Sequence, residues 1–377
     1  MTTMASPSIN VIFNQPTDHL RFIEATTEGS HLESLFLLCD HARDSHFRQL
    51  KESIPQIPDS HSVVRSMHVK LDHHWPQNFP QIPDRKPSRT RPRSGQLYRA
   101  ESRITHIGTK SLKLQHRYFT VPQSQAHRDF NNRSQDALYT QSPPEEEPGR
   151  LFASAEGAVV FIQWQQDPAT GRRFYKPTSG PYQDSSLVVP SVIDFVGGSG
   201  PGRRTADQQR PANAFRVPFL LRQSDKDSLG HVTNSRYASI IHDVFVYGLQ
   251  QGYYANGSGE ARTGKALPVL SVGPHGCEEK ATSTGSQQQG GGGVAVPADA
   301  RFYKQAKVHE LYVGYEDELK VKPGVVVWSW VKRERLHGVF DVVQFEICAT
   351  DEATGVEKVV SQCRAVFLED EIQKALL

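Results

Sequence analysis

The sequence predicts an α+β fold, and three observations support this. A strand-like run at 215–222 leads directly into an amphipathic helix, and several further strand-like runs follow that helix. The order of one strand, one long helix and then antiparallel strands is typical of α+β proteins. The first half of the chain carries a weaker version of the same ending, which predicts a duplicated unit.

The first strand and the helix of the second half have clear periodicity. Val217, Phe219 and Leu221 share one face of a period-two run, as in a half-buried strand. The helix is expected to begin near Thr233 or Asn234, because either residue is a favourable N-cap. Its apolar stripe follows helical spacing and comprises Tyr237, Ile240, Ile241, Val244, Phe245, Gly248 and Leu249.

Alternating runs after the helix predict the remaining strands. Gly and Pro residues punctuate them, as expected for turns. A Gly/Gln/Ser-rich stretch at 282–293 is predicted to be a mobile loop. The predicted strands lie at 267–272, 301–313, 318–322, 325–331, 339–349 and 358–368.

The duplication is predicted from two local similarities. Residues 108–119 alternate like residues 338–347, and Ala-Val-Val-Phe at 158–161 is similar to Ala-Val-Phe at 365–367. The helix of the first copy, at 32–54, is only weakly defined by its apolar residues. The predicted organisation is a degenerate first unit with long loops at 1–180, a linker at 181–210 and a second unit at 211–377.

The segment 225–237 carries the candidate chemistry. It reads Asp-Lys-Asp-Ser-Leu-Gly-His-Val-Thr-Asn-Ser-Arg-Tyr and lies between the predicted strand and helix. The N-terminus of a helix offers free N–H groups and the positive end of its dipole, which attract developing negative charge. Local sequence therefore brings together a carboxylate, an imidazole and an anion-stabilising turn.

This segment resembles the signature of the hotdog-fold acyl thioesterases, the 4-hydroxybenzoyl-CoA and acyl-ACP thioesterase families. Their pattern is Asp-x-Asp-x-x-Gly-His-Val-Asn-Asn-x-x-Tyr. Thr233 replaces the first Asn of the pair, and Leu229 stands where the plant acyl-ACP enzymes carry a polar Asn. The matching residues are Asp225, Asp227, Gly230, His231, Val232, Asn234 and Tyr237.

The resemblance implies a fold and a set of roles. The fold would be a tandem (double) hotdog, in which each unit is a long helix wrapped by an antiparallel sheet. Asp227 would either attack the thioester or activate water, and the backbone from Gly230 to Val232 would hold the carbonyl oxygen. His231 would orient water or assist proton transfer, unless it only caps or packs. Asn234 would bind water or substrate, unless it is merely an N-cap.

Asp225 is assigned a different role from the other acid of the motif. Short Asx side chains commonly accept hydrogen bonds from nearby backbone N–H groups. Asp225 is therefore expected to hold the loop rather than to react.

Two other functions remain open on the same fold. Hotdog enoyl-thioester hydratases also place an Asp and a His as far apart as Asp227 and His231, but typically with Asn-Pro between them. Ser228, Leu229 and Gly230 do not supply that pair. The second alternative is a non-catalytic acyl-binding module, which the departures at Leu229 and Thr233 keep open.

Composition limits the partners. The 43 basic and 41 acidic side chains give a net charge of +2, so charge offers no general case for a nucleic-acid partner. The expected partner is an acyl-CoA or acyl carrier protein thioester, with no metal or redox cofactor. Single hotdog units usually dimerise, so a homo-oligomer through the sheets is also open.

Cysteine usage and hydropathy indicate the compartment. The four cysteines form no C-x-x-C pair, which argues against structural zinc and fits a reducing compartment. No apolar stretch is long enough for a membrane span. Residues 1–15 lack the basic start and apolar core of a signal peptide, so a cytoplasmic location is expected, with an organelle not excluded.

Overall fold

The chain forms two compact units. The first comprises Met1–Thr26 and Ser34–Phe195, and the second comprises Thr27–Glu33 and Val196–Leu377. The boundary after Phe195 falls inside the segment predicted as a linker, whose role as a linker stays a prediction. The computed structural model describes residues 9–13, 28–53, 61–72, 98–120, 150–169, 171, 173–182, 185–195, 209–227, 230–250, 253, 270–271, 307–320, 324–336, 340–351 and 354–368.

The first unit is an antiparallel sheet with one long helix. The sheet order is β1-β3-β4-β5-β2, and β6 pairs with the far end of β5. Its elements are β1 (Ile9–Phe13), α1 (Glu28–Ser53), β2 (His61–Leu71), β3 (Tyr98–Ile107), β4 (Ser111–Thr120), β5 (Leu151–Gln166) and β6 (Arg173–Pro177). The start of α1, through Glu33, is grouped with the second unit.

The second unit also combines a sheet with a helix. Its order is β8-β7-β10-β11-β12-β9, and every pair is antiparallel except the short parallel pair of β7 with β8. Its elements are β7 (Phe215–Leu220), α2 (Asn234–Gln250), β8 (Leu270–Ser271), β9 (Lys307–Tyr315), β10 (Val325–Leu336), β11 (Phe340–Thr350) and β12 (Glu357–Leu368).

Both units follow the same connection order. In the first unit the order is β1-β3-β4-β5-β2, and in the second it is β7-β10-β11-β12-β9. In each, the strand before the helix pairs with the first strand of a three-strand antiparallel run. The strand that precedes this run in the chain, β2 or β9, pairs with its last strand, and the short β8 lies between α2 and β9 in the chain. The sequence similarity between 108–119 and 338–347 therefore links β4 with β11, which occupy equivalent places in the two orders.

The predicted strand and helix of the second unit are confirmed. Phe215, Val217 and Phe219 are buried on one face of β7, while Leu220 on the other face is half exposed. The predicted stripe of α2 is buried through Gly248, and Leu249 has no described side chain. The rings of Phe215 and Tyr247 lie 5.9 Å apart, so α2 packs over β7.

The segment predicted as a strand at 318–322 is not a strand where it is described. Only Lys320 forms a bridge, and its partner is His231 rather than a neighbouring strand. Leu319 is buried, and its carbonyl accepts the Val232 N–H. These residues therefore pack on the turn before α2. The predicted loop at 282–293 lies outside the described residues.

The helix of the first unit is longer and more regular than its sequence indicates. It runs continuously over Glu28–Ser53. Its buried face includes Leu35, Phe36 and Cys39, and the Cys39 thiol faces Tyr118 of β4. Ser45 and His46 are buried on the same helix, and these polar residues interrupt the apolar stripe in the sequence. No helix in the described ranges is both long and apolar enough to span a membrane.

Two buried histidines give the first unit an acid-sensitive core. Burial lowers the pKa of His46 to about 4. Burial, together with the charges of His46 and Arg43, lowers the pKa of His116 to about 3. The unfolded chain takes up these protons near pH 6.5, whereas the folded chain does not. Their contribution to stability is therefore complete above that pH and is lost as the pH falls toward 4.

We predict that the free energy of unfolding falls as the pH drops below 6.5, with about 1.4 kcal/mol per pH unit from each of these histidines. His46→Gln should remove about half of this histidine contribution, because one of the two buried groups no longer titrates. Urea unfolding at several pH values measures the slope. His106→Gln, at an exposed ring on β3, is the matched control and should leave it unchanged. An unchanged slope in His46→Gln would contradict this assignment.

Candidate active site

A tight turn joins β7 to α2. A 3-10 helix at Gln223–Asp225 precedes it, and residues Lys226 and Val232 bridge its two sides. The Asp227 N–H donates to the His231 carbonyl at 2.7 Å, and the Gly230 N–H donates to the Asp227 carbonyl at 3.1 Å. Gly230 has a φ of +85°, a conformation that favours glycine. Ser228 and Leu229 lie outside the described residues.

The turn brings Asp227 and His231 together, as their spacing predicts. Oδ1 of Asp227 accepts the backbone N–H of His231 at 2.9 Å. Both side chains are half-buried, so they are held in place but remain partly open to solvent. Their predicted catalytic roles stay a prediction, and the contact between the two residues joins the Asp227 carboxylate to the His231 backbone.

Glu318 completes this group and was not predicted. It follows β9 and places Oε2 3.0 Å from Nε2 of His231. The backbone supports the contact, because the Val232 N–H donates to the Leu319 carbonyl at 2.9 Å and His231 bridges Lys320. A carboxylate at this distance favours the proton on Nε2, which leaves Nδ1 as the acceptor of a neutral ring.

The backbone N–H groups expected to bind the carbonyl oxygen of a substrate already donate hydrogen bonds to other groups of the protein. The Gly230 N–H goes to Asp227, the His231 N–H to the Asp227 carboxylate, and the Val232 N–H to Leu319. A substrate oxygen would therefore have to share one of these amides or use the first-turn amides of α2. The space around Gly230 is open, since a Cβ there would meet no atom within 4 Å.

Asn234 is the first residue of α2 and is half-buried. Its carbonyl accepts the Tyr315 hydroxyl at 3.4 Å. The Tyr315 ring also packs edge-on against Tyr237, with centroids 4.8 Å apart. Burial raises the pKa of Tyr237 and keeps its hydroxyl protonated. These contacts fix the start of α2 against the end of β9.

Asp225 holds the turn, as expected, and also forms an ion pair with Arg236, which was not predicted from the sequence. Its Oδ2 accepts the Arg222 N–H at 2.7 Å, and its own carbonyl accepts the Thr233 N–H at 3.0 Å. Its Oδ1 accepts two N–H groups of Arg236, from Nε at 3.0 Å and Nη2 at 2.8 Å. The Asp225 side chain is only 2% exposed, so this ion pair is buried on its acidic side.

The carboxylates of Glu33 and Asp225 keep Arg236 protonated. Burial lowers the pKa of the guanidinium, but the facing carboxylates of Glu33 and Asp225 outweigh burial and raise it overall. Arg236 is therefore a permanent cation at the first turn of α2.

No cluster of three or more His, Cys, Asp or Glu side chains is placed to hold a metal ion in the parts of the chain that the structure describes. The groups the site does present are carboxylates, an imidazole and backbone amides. These groups can accept a proton, activate water or attack a carbonyl carbon.

No protein-family model matches the sequence, and no curated protein does. Among solved structures, a Lactobacillus plantarum protein described as an oleoyl thioesterase aligns over 97% of this chain and 98% of its own, at 12% identity and a TM-score of 0.48. An acyl-ACP thioesterase from Bacteroides thetaiotaomicron aligns over 95% and 96%, at 13% identity and a TM-score of 0.42. A 12:0-ACP thioesterase from Umbellularia californica aligns over 89% and 87%, at 11% identity and a TM-score of 0.42.

We predict that Arg236→Ala lowers the free energy of unfolding by about 3 kcal/mol, because it leaves the buried Asp225 carboxylate without its counter-charge. Lys358→Ala is the matched control, since it breaks an ion pair whose side chains are 66% and 45% exposed. That change should cost about 0.5 kcal/mol or less. Urea unfolding followed by tryptophan fluorescence measures both. Equal losses in the two variants would show that the Asp225–Arg236 pair is not a buried anchor.

Proposed function

We propose that this chain hydrolyses acyl thioesters, with acyl-CoA or an acyl carrier protein as the donor of the acyl group. The observation that carries the proposal is the turn before α2, in which the Asp227 carboxylate accepts the backbone N–H of His231 and Glu318 lies 3.0 Å from Nε2 of the imidazole. The resemblance of this segment to the acyl thioesterase signature supports the same reading.

Asp227 is the proposed reactive carboxylate. It either attacks the thioester carbonyl, giving an acyl-enzyme anhydride and a free thiolate, or removes a proton from the water that attacks. In the first route, water then cleaves the anhydride and regenerates the carboxylate. Both routes end with a free acid and a thiol.

His231 is proposed to handle the proton. With Nε2 facing Glu318, its Nδ1 can accept a proton from water and return it to the thiolate leaving group. Glu318 would hold the imidazole in this orientation, because the acceptor of one ring N–H determines which nitrogen faces the reacting water. Asn234 would then contact water or substrate at the start of the helix.

The oxyanion is proposed to form at the N-terminus of α2. Gly230 and Val232 line the approach, and the open space beside Gly230 would admit the acyl group close to the backbone. The dipole of α2 favours negative charge at this end. Removal of one oxyanion donor typically costs about 10²- to 10³-fold in kcat, so this backbone matters as much as the acid.

We further propose that the chain is a tandem hotdog, with a degenerate first unit and a second unit that carries the site. The equivalent strand orders of the two units support this, as does the sequence similarity between β4 and β11. Oligomers formed through the sheets belong to the same proposal.

We predict that the purified full chain releases free thiol from at least one acyl-CoA or acyl carrier protein thioester, and that Asp227→Asn lowers kcat by about 10²-fold or more, since the reactive carboxylate is removed. Glu318→Gln should cause a smaller loss through His231. A thiol-trapping dye measures the release, and a series of acyl chain lengths identifies the substrate.

Asp317→Asn is the matched control for both variants. It removes an exposed carboxylate next to Glu318 in the same segment and should keep full activity. Unchanged activity in Asp227→Asn would remove Asp227 from the mechanism. Loss of enoyl-CoA absorbance without thiol release would favour the hydratase, and tight acyl-CoA binding without turnover would favour the binding module.

We predict that Gly230→Ala lowers kcat while Gly355→Ala does not, although each should cost about 1 kcal/mol of stability. Both glycines have positive φ, +85° and +68°, and a Cβ on either would meet no atom within 4 Å. The two changes therefore impose a similar backbone strain at different places. Steady-state kinetics and urea unfolding of both variants make the comparison. Equal kcat values would show that the Gly230 turn does not hold the reactive groups.

A further inference from the structure

Arg236 forms ion pairs with two carboxylates, those of Asp225 and Glu33, although one carboxylate would balance its single positive charge. Asp225 already accepts two of its N–H groups. The remaining nitrogen, Nη1, donates to both carboxylate oxygens of Glu33, at 3.1 and 3.0 Å. Glu33 lies in the first turns of α1 and belongs to the second unit.

Glu33 also contacts a second residue of α2. Its Oε2 accepts the hydroxyl of Ser239, which is buried. Residues 236 and 239 lie one turn apart on the same face of a helix. The carboxylate of Glu33 therefore binds the first two turns of α2 at two points.

A short series of hydrogen bonds connects Glu33 to the turn that carries Asp227 and His231. Arg236 links Glu33 to Asp225, and Asp225 accepts the backbone N–H of Arg222 and, through its own carbonyl, that of Thr233. The turn with Asp227 and His231 lies between those two attachment points. A shift of the first turn of α2 would therefore move the reactive groups and the helix N-terminus together.

We propose that Glu33 is a positioning residue of this site: it touches none of the reacting atoms and fixes α2 and the Asp227–His231 turn through Arg236 and Ser239. The proposal rests on the proposed function. The Glu33 side chain is 24% exposed and the Asp225 side chain only 2%, so loss of Glu33 should cost less stability than loss of the counter-charge of Asp225. Its main effect should be on geometry, where a displacement of about 1 Å can cost up to about 10²-fold in rate.

The kinetic test compares Glu33→Ala with Glu52→Ala, an exposed acid on the same helix. We expect Glu33→Ala to lower kcat about tenfold with KM within about twofold, and Glu52→Ala to match the parent. The urea midpoint should fall less in Glu33→Ala than in Arg236→Ala and should stay unchanged in Glu52→Ala, and kcat is calculated per folded protein. A kcat equal to that of the parent overturns the proposal, and so does a fall in kcat accounted for by loss of folded protein.

A double-mutant cycle with Ser239→Ala tests whether Glu33 positions the site through Ser239. If Glu33 acts partly through Ser239, the loss in kcat from Glu33→Ala should be smaller in the Ser239→Ala background than in the parent. Glu33→Gln, which keeps an acceptor oxygen for Ser239, should restore part of the rate. Fully additive losses with no rescue by Glu33→Gln overturn the route through Ser239.

Hydrogen exchange separates this proposal from the proposed function. In Glu33→Ala the hydrogen-bonded amides of Asp227, Gly230, His231 and Val232 should exchange about tenfold faster than in Glu52→Ala, because the turn opens more often. If no thioester is hydrolysed by the parent but exchange is faster, the proposed function fails and the positioning role stands. Unchanged exchange overturns the positioning role whatever the activity.

Discussion

The geometry of the site depends on the ion pair between Asp225 and Arg236. Asp225 is almost fully buried and lies before the turn, while Arg236 lies after it in the first turn of α2. A buried carboxylate without a counter-charge is costly, so the pair forms only when β7 and α2 take their native relation. The turn between them then has little freedom. Within this turn the Asp227 carboxylate accepts the backbone N–H of His231.

The remaining parts of the site come from distant segments of the second unit. The segment after β9 brings Glu318 to the imidazole and supplies the carbonyl that accepts the Val232 N–H. The first turns of α1 bring Glu33 to the guanidinium. The local turn thus supplies the reactive groups, and the long-range contacts fix their orientation. Such an arrangement keeps flexible side chains on a rigid support, which catalysis by orientation requires.

Local features of this fold could be predicted from the sequence and distant contacts could not. The strand at Phe215–Leu220 and the start of α2 follow from alternation and helical spacing, and the Asp227–His231 contact follows from their closeness in the chain. Glu318 could not be located, because its approach depends on the sheet order, and its segment was predicted as a strand. The Glu33–Arg236 contact was missed for the same reason. The regular length of α1 was obscured by buried polar residues such as His46, which break the apolar pattern.

The most direct test of the account is a structure of the protein with an acyl-CoA analogue in which a methylene replaces the thioester sulfur and the carbonyl is kept. We expect the ketone carbon to lie within about 3.5 Å of an Asp227 carboxylate oxygen, or of a water bound to that oxygen, with the ketone oxygen facing the N-terminus of α2. The distance from this carbon to Asp227 is the measurement. An analogue bound with its carbonyl out of reach of Asp227 would contradict the account.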